Sequence, residues 1–167
     1  MELLGCDFSS SPSAKKQIVL AFGRLFQKRV QLLKLERFTS LAAWQDHLQH
    51  GAWVGGFDLP FGLPREWVLS QAGWPTEWRA CMDRFAATDR AELRQRFKAF
   101  CDARPAGAKF AHRATDGLAG SSPSMKWVNP PVAWMMHAGV PVLRGLGAWF
   151  VTHEPPPSGT RTDAPLR

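Results

Sequence analysis

Two aspartates close to the ends of apolar runs are the residues best suited to carry chemistry. Asp7 lies near the end of the run 2–8, and Asp58 ends the run 52–58. If both runs are strands of one sheet, the two carboxylates are neighbours at one edge and repel each other. A divalent cation removes that repulsion, and Mg²⁺ typically takes one or two carboxylates together with waters and phosphate oxygens. Metal ions at such sites activate water and stabilise the leaving oxygen of a phosphodiester.

A simpler interpretation of the same two residues stays open. Asp7 precedes Phe8-Ser9-Ser10, and Asp58 precedes Leu59-Pro60, so each aspartate could instead form an Asx-turn that leads the chain out of a strand. Gly55 and Gly56 favour the first interpretation, because they let another backbone or a ligand approach the strand closely.

The elements that must position this pair follow from the periodicity of the first 58 residues. Runs 2–8, 17–25 and 29–38 have strand character and predict a three-stranded antiparallel meander. Thr39 or Ser40 can cap a helix that ends at Gly51, and the strand 52–58 follows. A helical crossover is the normal way to bring such a strand parallel to an earlier one. We therefore expect an α/β fold with Asp7 and Asp58 at the same sheet edge.

The second half of the chain has helical periodicity. Pro64 and Pro75 are suited to the first turns of two helices, and Asp89 with Glu92 forms a capping pair for a third. A loop rich in Gly and Ser precedes the last helix. The predicted ranges are helices over 64–72, 75–86, 89–103 and 129–139, with the loop over 105–128.

The formal net charge of +7 points to a polyanionic partner. Nine Lys/Arg and four Asp/Glu lie between Arg79 and Arg113, so this segment holds most of the excess. In the helix over 89–103, Arg90, Arg94 and Lys98 recur at every fourth position. They predict a basic ridge that attracts nucleic acid, although an arginine-rich helix face exposed to water has the same pattern.

The loop after that helix carries further donors for phosphate. Aromatic residues Phe110 and Trp127 lie among them and could stack on bases. An ordinary charged surface loop would have the same composition. The predicted phosphate-binding residues in this segment are Lys109, His112, Arg113 and Lys126.

Composition limits the class of protein. A chain of 167 residues suits one domain, and 45% apolar residues suffice for a core. Three widely spaced cysteines predict neither a disulfide framework nor a zinc site. No run is long enough to span a bilayer, and the N-terminus lacks a secretory pattern, so we expect a cytoplasmic protein without a membrane partner. The oligomeric state is left open.

Three segments resemble a known family. They are Leu-Leu-Gly-Cys-Asp-Phe-Ser at 3–9, Val-Gly-Gly-Phe-Asp-Leu-Pro-Phe-Gly-Leu-Pro at 54–64, and residues 109–131. Together they look like domain-of-unknown-function family 429, whose members are described as predicted nucleases of RNase H-like fold. The resemblance covers roughly 2–143 and implies an RNase H-like sheet. It also implies that Asp7 and Asp58 bind Mg²⁺ or Mn²⁺.

The chain departs from that family after Val142. Members normally continue with further strands and a late acidic residue, so the resemblance implies a partial domain over 1–143 that is truncated at its C-terminus. Residues 144–167 are expected to be a divergent and disordered tail. Asp116 is the best substitute for the late acid and becomes a third candidate catalytic residue, although it could equally be a turn residue before Gly117.

These observations favour a metal-dependent nuclease that hydrolyses phosphodiester bonds in nucleic acid. Two alternatives stay open: a noncatalytic nucleic-acid-binding module, and a truncated product without activity. No P-loop and no G-x-S-x-G elbow occurs in the sequence.

Overall fold

The computed structural model describes residues 2–158, which contain four strands and six helices. The strands form one sheet in the order β3-β2-β1-β4, with β1 antiparallel to β2 and parallel to β4. The predicted α/β class and mixed sheet are confirmed. The elements are β1 (Glu2–Asp7), β2 (Ile18–Phe26), β3 (Arg29–Phe38), α1 (Leu41–Leu48), β4 (Trp53–Phe57), α2 (Arg65–Ser70), α3 (Trp78–Ala87), α4 (Arg90–Asp102), α5 (Ala114–Ala119) and α6 (Val132–Gly145).

One face of the sheet contributes to the core. Leu4 and Cys6 of β1 and Leu20 and Phe22 of β2 alternate with more exposed residues, as a strand with one buried face requires. The β2–β3 turn is formed by Gln27 and Lys28, with φ of 47° and 63°. Positive φ at both central residues is the geometry that continues the twist of a tight hairpin.

Helix α1 covers the core face of the sheet. The Ser40 hydroxyl accepts a hydrogen bond from the backbone N–H of Ala43 at 3.2 Å, which satisfies one of the free donors of the first turn. Trp44 and Leu48 are buried, and the Trp44 ring lies 5.1 Å from that of Phe8. The crossover from β3 to β4 therefore follows the predicted route.

Helix α6 packs at the end of the sheet that carries Asp7. A Cβ built on Gly139 would lie 3.1 Å from the Phe8 ring and 3.2 Å from Leu59, so only glycine fits this approach without displacing a neighbour. The helix was predicted to end at Gly139, but it continues to Gly145. Gly139 is a packing residue and does not end the helix.

The C-terminal segment differs from the predicted disordered tail as far as the structure describes it. Phe150 is 5% exposed, and its ring lies 5.0 Å from Phe61 and 4.9 Å from Trp78. Glu154 has a nearly buried side chain and forms an ion pair with Arg79 at 2.6 Å. The domain thus extends past 143 to at least residue 154, and 159–167 lie outside the described residues.

Candidate functional site

Asp7 and Asp58 are neighbours at one end of the sheet. Cys6 pairs with Phe57 in the parallel register of β1 and β4, and the backbone N–H of Asp58 donates to the Cys6 carbonyl at 2.9 Å. Adjacent strands lie about 4.8 Å apart, so the two aspartates occupy the next pair of positions at roughly that spacing. Cys6 and Leu59 are buried while Asp7 and Asp58 are exposed, which places both carboxylates on the face opposite α1.

The electrostatics of Cys6 agree with this placement. Burial, with smaller contributions from the negative charges of Asp7 and Asp58, raises the pKa of the Cys6 thiol to about 12. Both carboxylates are therefore close enough to act on one buried group. At this pKa the thiol stays protonated at neutral pH, so Cys6 is a small apolar core residue and not a nucleophile.

The pair fits a divalent cation in its donor set. Neither Asp7 nor Asp58 forms an ion pair with another residue of the described range 2–158. Two like charges one strand spacing apart without a cation are unfavourable, and a hard cation that accepts two carboxylates relieves this. Gly56 precedes Asp58 on the same face, and a Cβ there would meet nothing within 4 Å, so space lies over the strands.

Asp116, the third candidate acid, is held elsewhere. Its carboxylate is buried and accepts hydrogen bonds from the Arg113 backbone N–H at 2.8 Å and from the Arg113 guanidinium at 2.7 and 2.9 Å. Asp116 closes the first turn of α5. The sequence predicted only a loop over 105–128, so this helix was missed. No group of three His, Cys, Asp or Glu side chains in residues 2–158 is placed to hold a metal ion. Asp116 therefore does not join Asp7 and Asp58.

The pKa of Asp116 agrees with a structural role. Burial by itself raises it, but the hydrogen bonds from Arg113 and Ser121 outweigh that effect and leave it below the usual range. Asp116 is therefore ionised and neutralised by Arg113 at neutral pH.

The predicted basic ridge on α4 is present, but two of its three side chains already contact other residues of the chain. Arg94 is exposed to solvent. The Arg90 guanidinium lies 5.5 Å from the centre of the Trp134 ring, and Lys98 forms an ion pair with Asp102 one turn on. An i,i+4 pair on an exposed helix is weak, so Lys98 can exchange Asp102 for a phosphate at little cost.

The predicted phosphate-binding residues of the loop differ in their exposure and in whether they are already paired. Lys109 and His112 are exposed and Lys126 is half-buried, whereas Arg113 is bound to Asp116. The two aromatic residues expected to stack on bases are part of the core periphery. Trp127 lies 6.0 Å from Phe97 in a stacked arrangement and 5.5 Å from Phe110, so these rings are occupied by each other.

Two further features were not predicted from the sequence, one in the row of the aspartates and one along the edge strand β4, away from them. Arg37 of β3 pairs with Val19, which pairs with Asp7, so one row across the sheet carries both aspartates and an arginine. A groove of about 1020 Å³ runs along β4 between Trp53, Phe57 and the segment 145–153. Arg37 could have been found from the sequence by pairing the residues of the three predicted antiparallel strands, from Asp7 to Val19 and on to Arg37. The groove depends on the packing of Phe150, for which the sequence gives no local signal.

Comparisons with known proteins find no relative of this chain. No family model matches the chain, and neither a curated protein nor a solved structure is significantly similar to it. The resemblance to domain-of-unknown-function family 429 stays a prediction. Among residues 2–158, no helix has the length and apolar character needed to cross a bilayer.

Proposed function

We propose that this protein is a metal-dependent nuclease of RNase H-like fold that hydrolyses phosphodiester bonds in nucleic acid. The observation that carries the proposal is the pair Asp7 and Asp58 on adjacent parallel strands, exposed on one face and without an ion-pair partner in the described part of the chain. The strand order of one antiparallel meander followed by a parallel strand agrees with the fold that the resemblance implies.

The roles of the residues follow from their charges. Asp7 and Asp58 supply oxygen ligands for Mg²⁺ or Mn²⁺, which when bound polarises a phosphoryl oxygen and lowers the pKa of a bound water. Arg37 lies in the same row of the sheet and attracts the phosphate backbone to this face. Arg94, Lys109 and Lys126 are further basic residues that can bind phosphate groups of the nucleic acid.

A noncatalytic nucleic-acid-binding module is the second candidate, and one observation favours it. Asp116 is neutralised by Arg113, and residues 2–158 contain no group of three acidic or histidine ligands. Two carboxylates hold one cation, but a second cation would lack protein ligands and the geometry of attack would be looser. A misplacement of about 1 Å can cost about 100-fold in rate.

Turnover separates the two functions. We would measure cleavage of labelled single- and double-stranded DNA and RNA with Mg²⁺ or Mn²⁺, for the wild type, Asp7→Asn, Asp58→Asn and Asp46→Asn. Asp46 is an exposed aspartate of α1 and serves as the matched control. The proposal expects metal-dependent cleavage that both site variants lose and the control retains.

Nucleic-acid binding is measured in parallel on the same four proteins. Binding without cleavage in any metal would establish the module and contradict the nuclease. Cleavage that persists in both Asp7→Asn and Asp58→Asn would place the reaction at another site.

A further inference from the structure

A small pocket lies between helices α2 and α3, the start of α5 and the C-terminal segment. Its volume is about 200 Å³. Pockets for drug-sized ligands measure roughly 300–1,000 Å³, so this one suits a smaller chemical group. The buried residues Leu63, Val68 and Met82 form the apolar part of its lining.

Polar side chains from four different parts of the chain line the same pocket. They are Arg65 at the start of α2, Thr76 in the segment before α3, Arg113 just before α5, and His153 in the C-terminal segment. No Asp or Glu of the described residues 2–158 lines it. The pocket therefore offers hydrogen-bond donors from several directions and contains no acidic group that would repel an anion.

The cationic groups of the pocket keep donors for a ligand. Neither Arg65 nor His153 forms an ion pair within residues 2–158. Arg113 binds Asp116 through Nε and Nη2, which leaves its Nη1 for a ligand. Because Asp116 holds the guanidinium in one orientation, this donor is ordered before anything binds, and a ligand loses less entropy in binding to it.

The His153 ring is also held in one position. It stacks on Trp78 with the ring centres 5.0 Å apart and the planes 10° apart, and a Cβ built on Gly62 would lie 3.7 Å from its Cε1. Burial, with a smaller effect of the Arg113 charge, lowers the pKa of His153, which agrees with both side chains lying at the same pocket. A neutral imidazole still donates one ring N–H.

We infer that this pocket binds a phosphomonoester, the group carried by phosphorylated small molecules and by the phosphorylated ends of nucleic acid. A phosphomonoester has three terminal oxygens that accept hydrogen bonds from different directions, which matches donors on separate elements. A carboxylate is flat and has two oxygens, so it would leave some of these donors without a partner. The pocket contains neither Asp7 nor Asp58, so binding there does not depend on the proposed nuclease.

Calorimetric titration with phenyl phosphate, in the absence of divalent metal, measures this binding. Benzoate is the matched comparison, since it carries a carboxylate on the same ring, and it should bind at least tenfold more weakly. Arg65→Ala and His153→Ala should each weaken phenyl phosphate binding at least tenfold, because each removes a hydrogen bond to a charged oxygen. Arg29→Ala, at an exposed arginine of β3, is the matched control and should leave the affinity unchanged. Arg65 is itself exposed, so its removal should leave the far-UV circular dichroism of the protein unchanged.

Two-dimensional NMR spectra locate the bound group. Phenyl phosphate should shift the backbone amide resonances of Gly62 and Thr76 and the indole resonance of Trp78, and it should leave that of Arg94 on α4 in place. Shifts confined to α4 would show that the anion binds the general basic surface and would overturn the inference. Equal affinities for phenyl phosphate and benzoate, or full affinity in both pocket variants, would overturn it as well.

Oligonucleotides distinguish the two sources of the phosphomonoester. Three share one sequence and carry a phosphate at the 5′ end, at the 3′ end or at neither end. If the end of a nucleic acid is the ligand, one terminal phosphate should strengthen binding at least tenfold in the wild type but not in Arg65→Ala. If a phosphorylated small molecule is the ligand, all three should bind equally and phenyl phosphate should displace none of them. The absence of phenyl phosphate binding at millimolar concentration would contradict both.

Discussion

Replacing Phe150 with alanine is expected to destabilise the domain by about 3 kcal/mol. Phe→Ala substitutions in cores cost roughly 3–5 kcal/mol, and each tilted or edge-on aromatic contact contributes about 0.5–1.5 kcal/mol of its own. Phe150 is 5% exposed and has two such contacts, to Phe61 and Trp78. Because it lies at the periphery, where neighbours can relax into the space, we place the cost at the lower end of the range.

Urea unfolding monitored by tryptophan fluorescence and far-UV circular dichroism measures this cost. The matched control is Val151→Ala, at a neighbouring residue that is 65% exposed, which should change the unfolding free energy by less than about 0.5 kcal/mol. If Phe150→Ala also falls within that band, the segment 146–154 does not belong to the folded domain, and the groove along β4 loses one wall.

Three further predictions concern charged side chains. Asp116→Asn should cost about 1.5–3 kcal/mol at neutral pH. Because the folded pKa of Asp116 lies below its unfolded value, this cost should shrink as pH falls below about 4, and a pH-independent cost in chemical unfolding would contradict it. Burial, with a smaller effect of the nearby Arg90 charge, lowers the pKa of His137, so the wild type should lose thermal stability from pH 7 to 5. His137→Gln should flatten that loss, and parallel melting curves would refute the assignment. Arg94→Ala should reduce the salt slope of duplex DNA binding by about 0.9, whereas an unchanged slope would show that this face of α4 does not contact phosphate.

Local signals are the reason why much of the fold could be predicted. β3 spans Arg29–Phe38 as its periodicity indicates, and α1 begins after the Ser40 cap. Asp89 caps α4 by accepting from the backbone N–H groups of Ala91 and Glu92 at 2.8 and 2.9 Å. Each of these features is set by residues within four positions of one another, and sequence patterns report such contacts well.

Contacts between distant residues account for what could not be predicted. Gly139 resembles a helix end in the sequence, but Phe8 and Leu59 select it for its size inside α6. Phe150 stands in an apparently divergent tail, and its burial depends on Phe61 and Trp78, far away in sequence. The strand order led to Asp7 and Asp58. The pairing of Asp116 with Arg113 is an exception among the failures, because it is local and was missed when 105–128 was predicted to be a loop.

Direct measurement of Mn²⁺ binding tests the central claim, that Asp7 and Asp58 form a divalent-cation site. Titration followed by electron paramagnetic resonance of free Mn²⁺ should show one bound ion per wild-type chain, displaced by excess Mg²⁺. Asp7→Asn and Asp58→Asn should lose this binding, and Asp46→Asn should retain it. Binding of equal strength in all four proteins, or none in the wild type, would contradict the account.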